Sequence, residues 1–129
     1  MADIENKLFQ KPLQDLVKNL SYFRRLERAW QCIQQDYKDP NLRLEKAAKL
    51  SGISKNHLNV LLRQTTGFTF YQLLIRYRLF QAITRVSIKN YSLVEITLNS
   101  GFSSPSVFER NFRSVFGITS REFRKNRDF

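Results

Sequence analysis

The 129-residue chain is predicted to be all-α, with two helix-turn-helix subdomains joined by a long central helix in a homeodomain-like pair. Three observations predict this class. Apolar residues recur at three- and four-residue spacing, whereas strict two-residue alternation is rare. The chain contains only four Gly and three Pro. The order of short helix, Gly turn and amphipathic helix occurs twice, which is the order of a helix-turn-helix DNA-reading unit.

A lead-in or linker is predicted at residues 1–25, before the first helix-turn-helix subdomain at 26–68. Ser21 is the predicted N-cap of a first helix that runs to about Tyr37, where an Asp-Pro-Asn sequence follows. The apolar spacing assigns five large side chains to one buried face of this helix: Phe23, Leu26, Trp30, Ile33 and Tyr37.

Two further helices complete the first unit. A short helix is predicted over 44–50. Its core candidates are Leu44, Ala47, Ala48 and Leu50. Ser54 is the predicted N-cap of the next helix, which continues to about Thr66 and ends at Gly67.

A linker helix is predicted over 69–88, with Thr69 as its N-cap, and the second subdomain over 89–129. The apolar stripe of the linker helix is assigned to Phe70, Leu73, Leu74, Tyr77 and Phe80. In the second subdomain, Ser92 and Glu95 have the spacing of a capping box. The remaining helix boundaries are predicted at Ser104 as a cap before Pro105, at Gly117 as an end, and at Thr119 as the last cap.

The two units form an internal repeat. Ser51 and Gly52 correspond to Ser100 and Gly101 at an offset of 49 residues. After the turn the offset is 50, as in the pairs Leu58 and Phe108, Leu62 and Phe112, Arg63 and Arg113, Gly67 and Gly117, and Thr69 and Thr119. A one-residue insertion in a turn explains the change of offset. Positive φ is predicted for the glycine in each turn.

The second helix of the first unit has the two faces that a recognition helix needs. Leu58, Leu61 and Leu62 are predicted to face inward. Asn56, Asn59, Val60 and Arg63 are predicted to face outward, with Lys55 beside them. Asn can bond adenine and Val can contact a thymine methyl group, whereas an exposed Arg can position the domain on phosphate.

The corresponding helix of the second unit has the same pattern. Its inward residues are Val107, Phe108, Phe112 and Val115, and its outward residues are Ser106, Glu109, Arg110 and Arg113. Arg110 is the best candidate for reading guanine, and Arg113 is assigned to phosphate together with Arg63, Lys55 and Ser104. Glu109 could accept from cytosine or pair with Arg113 at i+4, and the pairing is favoured.

Composition and charge narrow the function. Residues 1–41 contain seven basic and six acidic residues, whereas 42–129 contain fifteen and five, so most of the net charge of +11 lies with the two motifs. Such an excess favours a phosphate polyanion, although charge alone fits a solvated basic surface equally well. A single Cys, a single His and no glycine-rich phosphate loop argue against an enzyme, a metal site or a cofactor. No apolar run approaches the length of a membrane span and no signal pattern starts the chain, so a cytoplasmic protein is expected.

These residues resemble the DNA-binding domain of the AraC/XylS family of bacterial transcription regulators, in a MarA/SoxS-like arrangement. The match covers about residues 26–125. Its strongest part is in the second unit: Gly101, Phe102, Ser103, Ser106, Phe108, Arg110, Phe112, Gly117, Thr119, Phe123 and Arg124. In the first unit and the linker it includes Ala47, Ala48, Ser54, Leu58, Gly67, Phe70, Leu74, Arg78 and Ala82.

The resemblance implies two recognition helices in successive major-groove segments of one duplex. It places the base-contacting positions at Asn56, Asn59, Val60, Pro105, Ser106 and Arg110. The double motif and the uneven charge favour a sequence-specific regulator of transcription, expected to be an activator that also contacts RNA polymerase. Because one chain carries two readers, it need not dimerise on DNA. Ser120 departs from the family pattern, since proline is usual there, and Arg43 replaces a small capping residue.

Two questions stay open from the sequence. The chain could be a stand-alone activator or the DNA-binding part of a longer regulator. The alternative function is a helical protein-interaction module that uses the same motifs as a scaffold.

Overall fold

The computed structural model describes residues 20–86, 88 and 91–126. Within these ranges the chain forms helices and no strands, as the sequence predicts. The first helix, α1, covers residues 20–36, so that part of the predicted lead-in already belongs to it. The others are α2 (Leu44–Ser51), α3 (Lys55–Thr66), α4 (Phe70–Val86), α5 (Leu93–Asn99), α6 (Pro105–Phe116) and α7 (Ser120–Lys125).

Side-chain caps begin most helices where the sequence predicts them. Ser54, Ser104 and Thr119 each accept a hydrogen bond from the amide three residues later, at 3.1 to 3.3 Å. The predicted capping box at the start of α5 is present. Ser21 is not a cap, because residue 20 is already helical and Ser21 lies inside α1.

The predicted buried face of α1 is confirmed in part, because Ile33 is buried and Leu26 and Tyr37 pack partly buried against the core. Ala29, Cys32 and Ile33 are buried, whereas Phe23 and Trp30 are 62% and 40% exposed. Small side chains let α1 approach its neighbours closely, and the two aromatic rings are left at the edge of the contact. Hydrophobicity alone favours the largest side chains and therefore assigns Phe23 and Trp30 to the buried face incorrectly. For the same reason Leu50, a predicted core residue of α2, is exposed.

Two clusters of buried residues share α4. Phe70 and Leu74, near its start, pack into the first cluster with α1, α2 and α3. Leu79, Ala82 and Val86 pack into the second cluster with α5 and α6. The buried side of α4 therefore turns around the helix between its two halves. Phe80 was assigned to the apolar stripe but is 59% exposed, because a single straight stripe cannot serve both clusters.

Two arginines bind the loops that follow helices. Arg78 in α4 donates from Nε to the carbonyl of Tyr37 at 2.8 Å and from Nη2 to the carbonyl of Asp39 at 2.7 Å. Arg124 in α7 donates from Nε to the carbonyl of Val86, the last residue of α4, at 3.0 Å. The Val86 carbonyl belongs to the last turn of α4, where carbonyls lack partners within the helix, whereas the Asp39 carbonyl also accepts a hydrogen bond from the amide of Leu42 at 3.1 Å. Arg78 is only 8% exposed, and burial lowers the pKa of its guanidinium.

Candidate nucleic-acid interface

The helix α3 has an apolar side and a polar side, as predicted. Leu58, Leu61 and Leu62 are buried against the first cluster or its edge. On the opposite side, three of the predicted contact residues are exposed: Asn56, Val60 and Arg63. Val60 is 50% exposed, so its methyl groups are accessible from solvent.

Asn59 does not face outward, and its predicted orientation is wrong. Its side chain is half-buried, and its Oδ1 accepts a hydrogen bond from the backbone amide of Phe70 at 3.0 Å. That amide is the first of α4 and has no partner within its own helix. Asn59 therefore links α3 to the start of α4 and belongs to the flank of the exposed side.

The start of α3 carries the other predicted contact in this unit. The Nζ of Lys55 lies 3.3 Å from Oε1 of Glu45 in α2, and both side chains are exposed. The pKa of Glu45 is lowered by a hydrogen bond from its own backbone amide and by the Lys55 ammonium. On the other flank, the rings of His57 and Tyr22 meet edge to face with centroids 6.1 Å apart, so α1 lies beside the first turn of α3.

The helix α6 repeats this arrangement. Phe108 and Phe112 are fully buried, and their aromatic neighbours in the second cluster fix the orientation of the helix. Four predicted contact residues are exposed: Ser106, Arg110 and Arg113 on the opposite side, and Pro105 at the first position of the helix. Ser104 is half-buried at the N-cap. A shallow depression brings Arg110 and Arg113 together with Glu109, Ser114 and Thr119.

Glu109 does not pair with Arg113, and that prediction is wrong. Its carboxylate accepts hydrogen bonds from the amide and from the hydroxyl of Ser120 at the start of α7. Glu109 and Ser120 are thus the counterparts of Asn59 and Phe70. Sequence reasoning missed both bonds, although the 50-residue offset of the repeat aligns the two donor positions and the two acceptor positions.

The exposed arginines carry unbalanced positive charge. Within residues 20–86, 88 and 91–126, the ion pairs are Lys46 with Asp36 and Lys55 with Glu45. Arg63, Arg110 and Arg113 take part in neither. An exposed guanidinium without a carboxylate partner can bond a phosphate or a guanine edge without first breaking an ion pair.

Two other kinds of site are absent from the described part of the chain. No group of three or more His, Cys, Asp or Glu residues there could hold a metal ion. None of its helices has the length and hydropathy needed to cross a membrane.

Comparison with known proteins shows which family the chain resembles. A family model described as a helix-turn-helix domain matches residues 41–126. The probable transcription factor PqrA of Proteus vulgaris is 32% identical over 89 residues, which are 69% of this chain and 73% of PqrA. The uncharacterized transcriptional regulatory protein YesN of Bacillus subtilis is 36% identical over 90 residues, which are 67% of this chain but only 24% of YesN.

Solved structures agree on the fold. An AraC-type transcriptional regulator from Chromobacterium violaceum has a TM-score of 0.71 at 28% identity, covering 81% of this chain and 92% of that one. The DNA-binding domain of AdpA, solved in complex with a target DNA, has a TM-score of 0.67 at 23% identity, covering 76% of this chain and 90% of that one. With a family model spanning both helix-turn-helix units and a relative at 32% identity, the chain belongs to the AraC family of DNA-binding transcription regulators.

Proposed function

We propose that this chain is a sequence-specific regulator that binds double-stranded DNA and activates transcription, with α3 and α6 reading two successive major-groove segments. The observation that carries the proposal is the equivalence of the two helices. Each begins at a serine cap, buries one apolar side and leaves a polar side exposed. Each is also bonded to the start of the following helix by a side chain at the same repeat position.

The proposed base readers in the first unit are Asn56 and Val60. Asn56 can bond an adenine through its amide, and Val60 offers its methyl groups to thymine. Asn59 is not proposed as a base reader, because its Oδ1 already accepts a hydrogen bond from the backbone amide of Phe70. The exposed fraction of Val60 supports this role, since half of its surface meets nothing in the free protein.

In the second unit, Arg110 is the proposed principal reader, with Pro105 and Ser106 as its neighbours at the start of α6. Arg can bond both O6 and N7 of guanine, which a short serine hydroxyl cannot do. The proposed phosphate contacts are Lys55, Arg63, Ser104 and Arg113. Lys55 must leave Glu45 to bind phosphate, and this exchange is feasible because both groups are solvent-exposed.

The reading surfaces differ between the two units, so the proposed DNA site is asymmetric. The first offers an amide and an aliphatic side chain, whereas the second offers a guanidinium. One chain with two different readers can bind such a site as a monomer. The AdpA domain, which has the same fold, was solved with a target DNA, and this supports DNA as the proposed partner. RNA polymerase is the proposed protein partner for activation. The family match does not favour a protein-interaction module.

The test is selection of bound duplexes from a random pool, followed by fluorescence-anisotropy titration of the selected and a scrambled duplex at several salt concentrations. We expect one asymmetric consensus and an affinity for it at least about a thousandfold above that for scrambled DNA. Equal affinity for both duplexes at every salt concentration would refute sequence-specific reading. A reporter assay with the selected site upstream of a promoter then separates activation from repression.

A further inference from the structure

We infer that Gly101 and Arg78 act as positioning residues that hold the second helix-turn-helix unit at a fixed orientation to the first, so that the protein measures the spacing between two DNA segments. The part concerning DNA rests on the proposed function. The part concerning orientation stands on contacts within the free protein.

The turn between α5 and α6 lies against the loop that follows α1. Gly101, in the turn between α5 and α6, is buried and has a φ of +87°. A Cβ placed on Gly101 would lie 1.9 Å from the carbonyl oxygen of Tyr37 and 2.7 Å from Nε of Arg78. Tyr37 follows α1 and packs against the first cluster. The backbone at Gly101 can therefore be this close to Tyr37 only because no side chain separates them.

Arg78 completes the contact from α4. Its Nε donates to the same Tyr37 carbonyl that Gly101 approaches, and its Nη2 donates to the carbonyl of Asp39. On its other side, its guanidinium carbon is 6.0 Å from the ring centroid of Phe102, which is buried in the second cluster. A single side chain thus joins the loop after α1 to the turn before α6.

The repeat provides an internal comparison. Gly52 holds the same position in the first turn and also has a positive φ, of +70°. A Cβ on Gly52 would have no atom within 4 Å. Both turns need a residue that tolerates positive φ, but only the second is packed against the other unit. Close packing at Gly101 is thus not a general requirement of the turn.

This contact adds a constraint that α4 alone does not supply. One base pair between two DNA segments moves the second segment by about 3.4 Å along the axis and turns it by about 35°. A protein that tolerates one spacing must resist a relative displacement of that size. For a Cβ at Gly101 to lie more than 3.0 Å from the Tyr37 carbonyl oxygen instead of 1.9 Å, the turn or the carbonyl must move by about 1.1 Å. We expect this movement to change the placement of α6 relative to α3.

The first experiment needs no DNA. Spin labels at Gln64→Cys and Ser114→Cys, exposed positions in α3 and α6, report the distance between the two helices in a Cys32→Ala background. We expect the Gly52→Ala variant to keep the parent distance distribution and the Gly101→Ala variant to shift or broaden it. The two variants share the cost of alanine at positive φ, so their difference isolates the contact with Tyr37. A folded Gly101→Ala protein with the parent distribution would overturn the inference.

A second variant covers the possibility that Gly101→Ala does not fold. Arg78→Met keeps an apolar stem but removes the donors to Tyr37 and Asp39, and it adds no bulk beside Gly101. We expect a broadened distance distribution, because the joining hydrogen bonds are lost. A distribution as narrow as that of the parent would overturn the role of Arg78.

The second experiment uses selected duplexes in which the spacing between the two segments is changed by one base pair. We expect the parent and Gly52→Ala proteins to bind the altered duplexes at least about tenfold more weakly, and Gly101→Ala to show less than about a threefold difference. Spacing discrimination that is unchanged in Gly101→Ala would overturn the inference about DNA. If no variant binds specifically while the distances change as expected, the proposed function fails and the orientation contact stands.

Discussion

The carboxylate of Glu109 in α6 accepts a hydrogen bond from the backbone amide of Ser120, the first residue of α7, with 3.4 Å between Oε2 and the nitrogen. Asn59 in α3 does the same for the amide of Phe70, the first residue of α4, at 3.0 Å. Both bonds span eleven residues. The repeat thus uses two different side chains, one in α3 and one in α6, to fix the start of the helix that follows.

The Glu109 contact predicts a measurable coupling with Ser120. Glu109→Ala leaves the first amide of α7 without its acceptor, and we expect the free energy of unfolding to fall by about 1 kcal/mol, as for loss of a helix cap. Ser120→Pro removes both donors to Glu109 and is compatible with the first position of a helix. In a Ser120→Pro background, Glu109→Ala should therefore cost much less.

Urea unfolding of the two single variants and the double variant measures this coupling as a double-mutant cycle. Costs that simply add would show that the two residues act independently. A Glu109→Ala cost that is larger with Ser120 than in the Ser120→Pro background would explain why serine suits this position, since proline lacks the two donors to Glu109.

Asn56 and Asn59 form a matched pair for separating stability from recognition. Asn59→Ala should lower the free energy of unfolding by about 1 kcal/mol, since it removes the acceptor for Phe70, and should leave base preference unchanged. Asn56→Ala should leave stability within about 0.5 kcal/mol, because Asn56 is exposed, and should relax selection at one base pair. Urea unfolding and random-pool selection with both variants provide the two readouts. A changed consensus with Asn59→Ala would return that residue to the base readers.

Ser51 and Ser100 occupy equivalent positions with different surroundings. The hydroxyl of Ser51 donates to the carbonyl of Arg25 in α1 at 3.0 Å, whereas the buried hydroxyl of Ser100 has no hydrogen-bond partner in the described part of the chain. We expect Ser51→Ala to lower the free energy of unfolding by about 0.5–1.5 kcal/mol, and Ser100→Ala to leave it unchanged or raise it. Thermal or urea unfolding distinguishes the two. Equal losses in both variants would contradict the assignment.

The sequence predicts local features better than it predicts packing between distant segments. Caps at Ser54, Ser104 and Thr119 could be located because each acts within three residues of its own position. The exposure of Phe23 and Trp30 could not be predicted, because periodicity identifies an apolar side of α1 but does not show how closely the neighbouring helices approach it.

The roles of Asn59 and Glu109 were missed for a related reason. Both lie at the boundary between the buried and the exposed sides of their helices, where helical spacing does not decide the orientation of a side chain. Their side-chain oxygens accept from the first backbone amide of the following helix, which has no acceptor within that helix. The two bonded residues are eleven positions apart in the sequence. A sequence does not reveal how close that helix comes until the turn between them is built.

Arg110 and Arg113 should affect binding in different ways, although both are exposed arginines of α6. Arg110→Ala removes the proposed guanine contact, and we expect affinity for the selected duplex to fall by about 1–3 kcal/mol while affinity for scrambled DNA changes little. Arg113→Ala removes a proposed phosphate contact, so affinity for both duplexes should fall together. The slope of log affinity against log salt should then become shallower by about 0.9, since one fewer counterion is released.

Anisotropy titrations of the selected and scrambled duplexes at four or more salt concentrations measure both quantities for each variant. Lys38→Ala is the matched control, because Lys38 is an exposed cation beyond the end of α1 and outside both reading surfaces. Lys38→Ala should change neither the ratio of the affinities for the selected and scrambled duplexes nor the slope of log affinity against log salt. If Arg110→Ala lowered affinity for both duplexes equally, the residue would act on phosphate, and base reading by α6 would have to rest on Pro105 and Ser106.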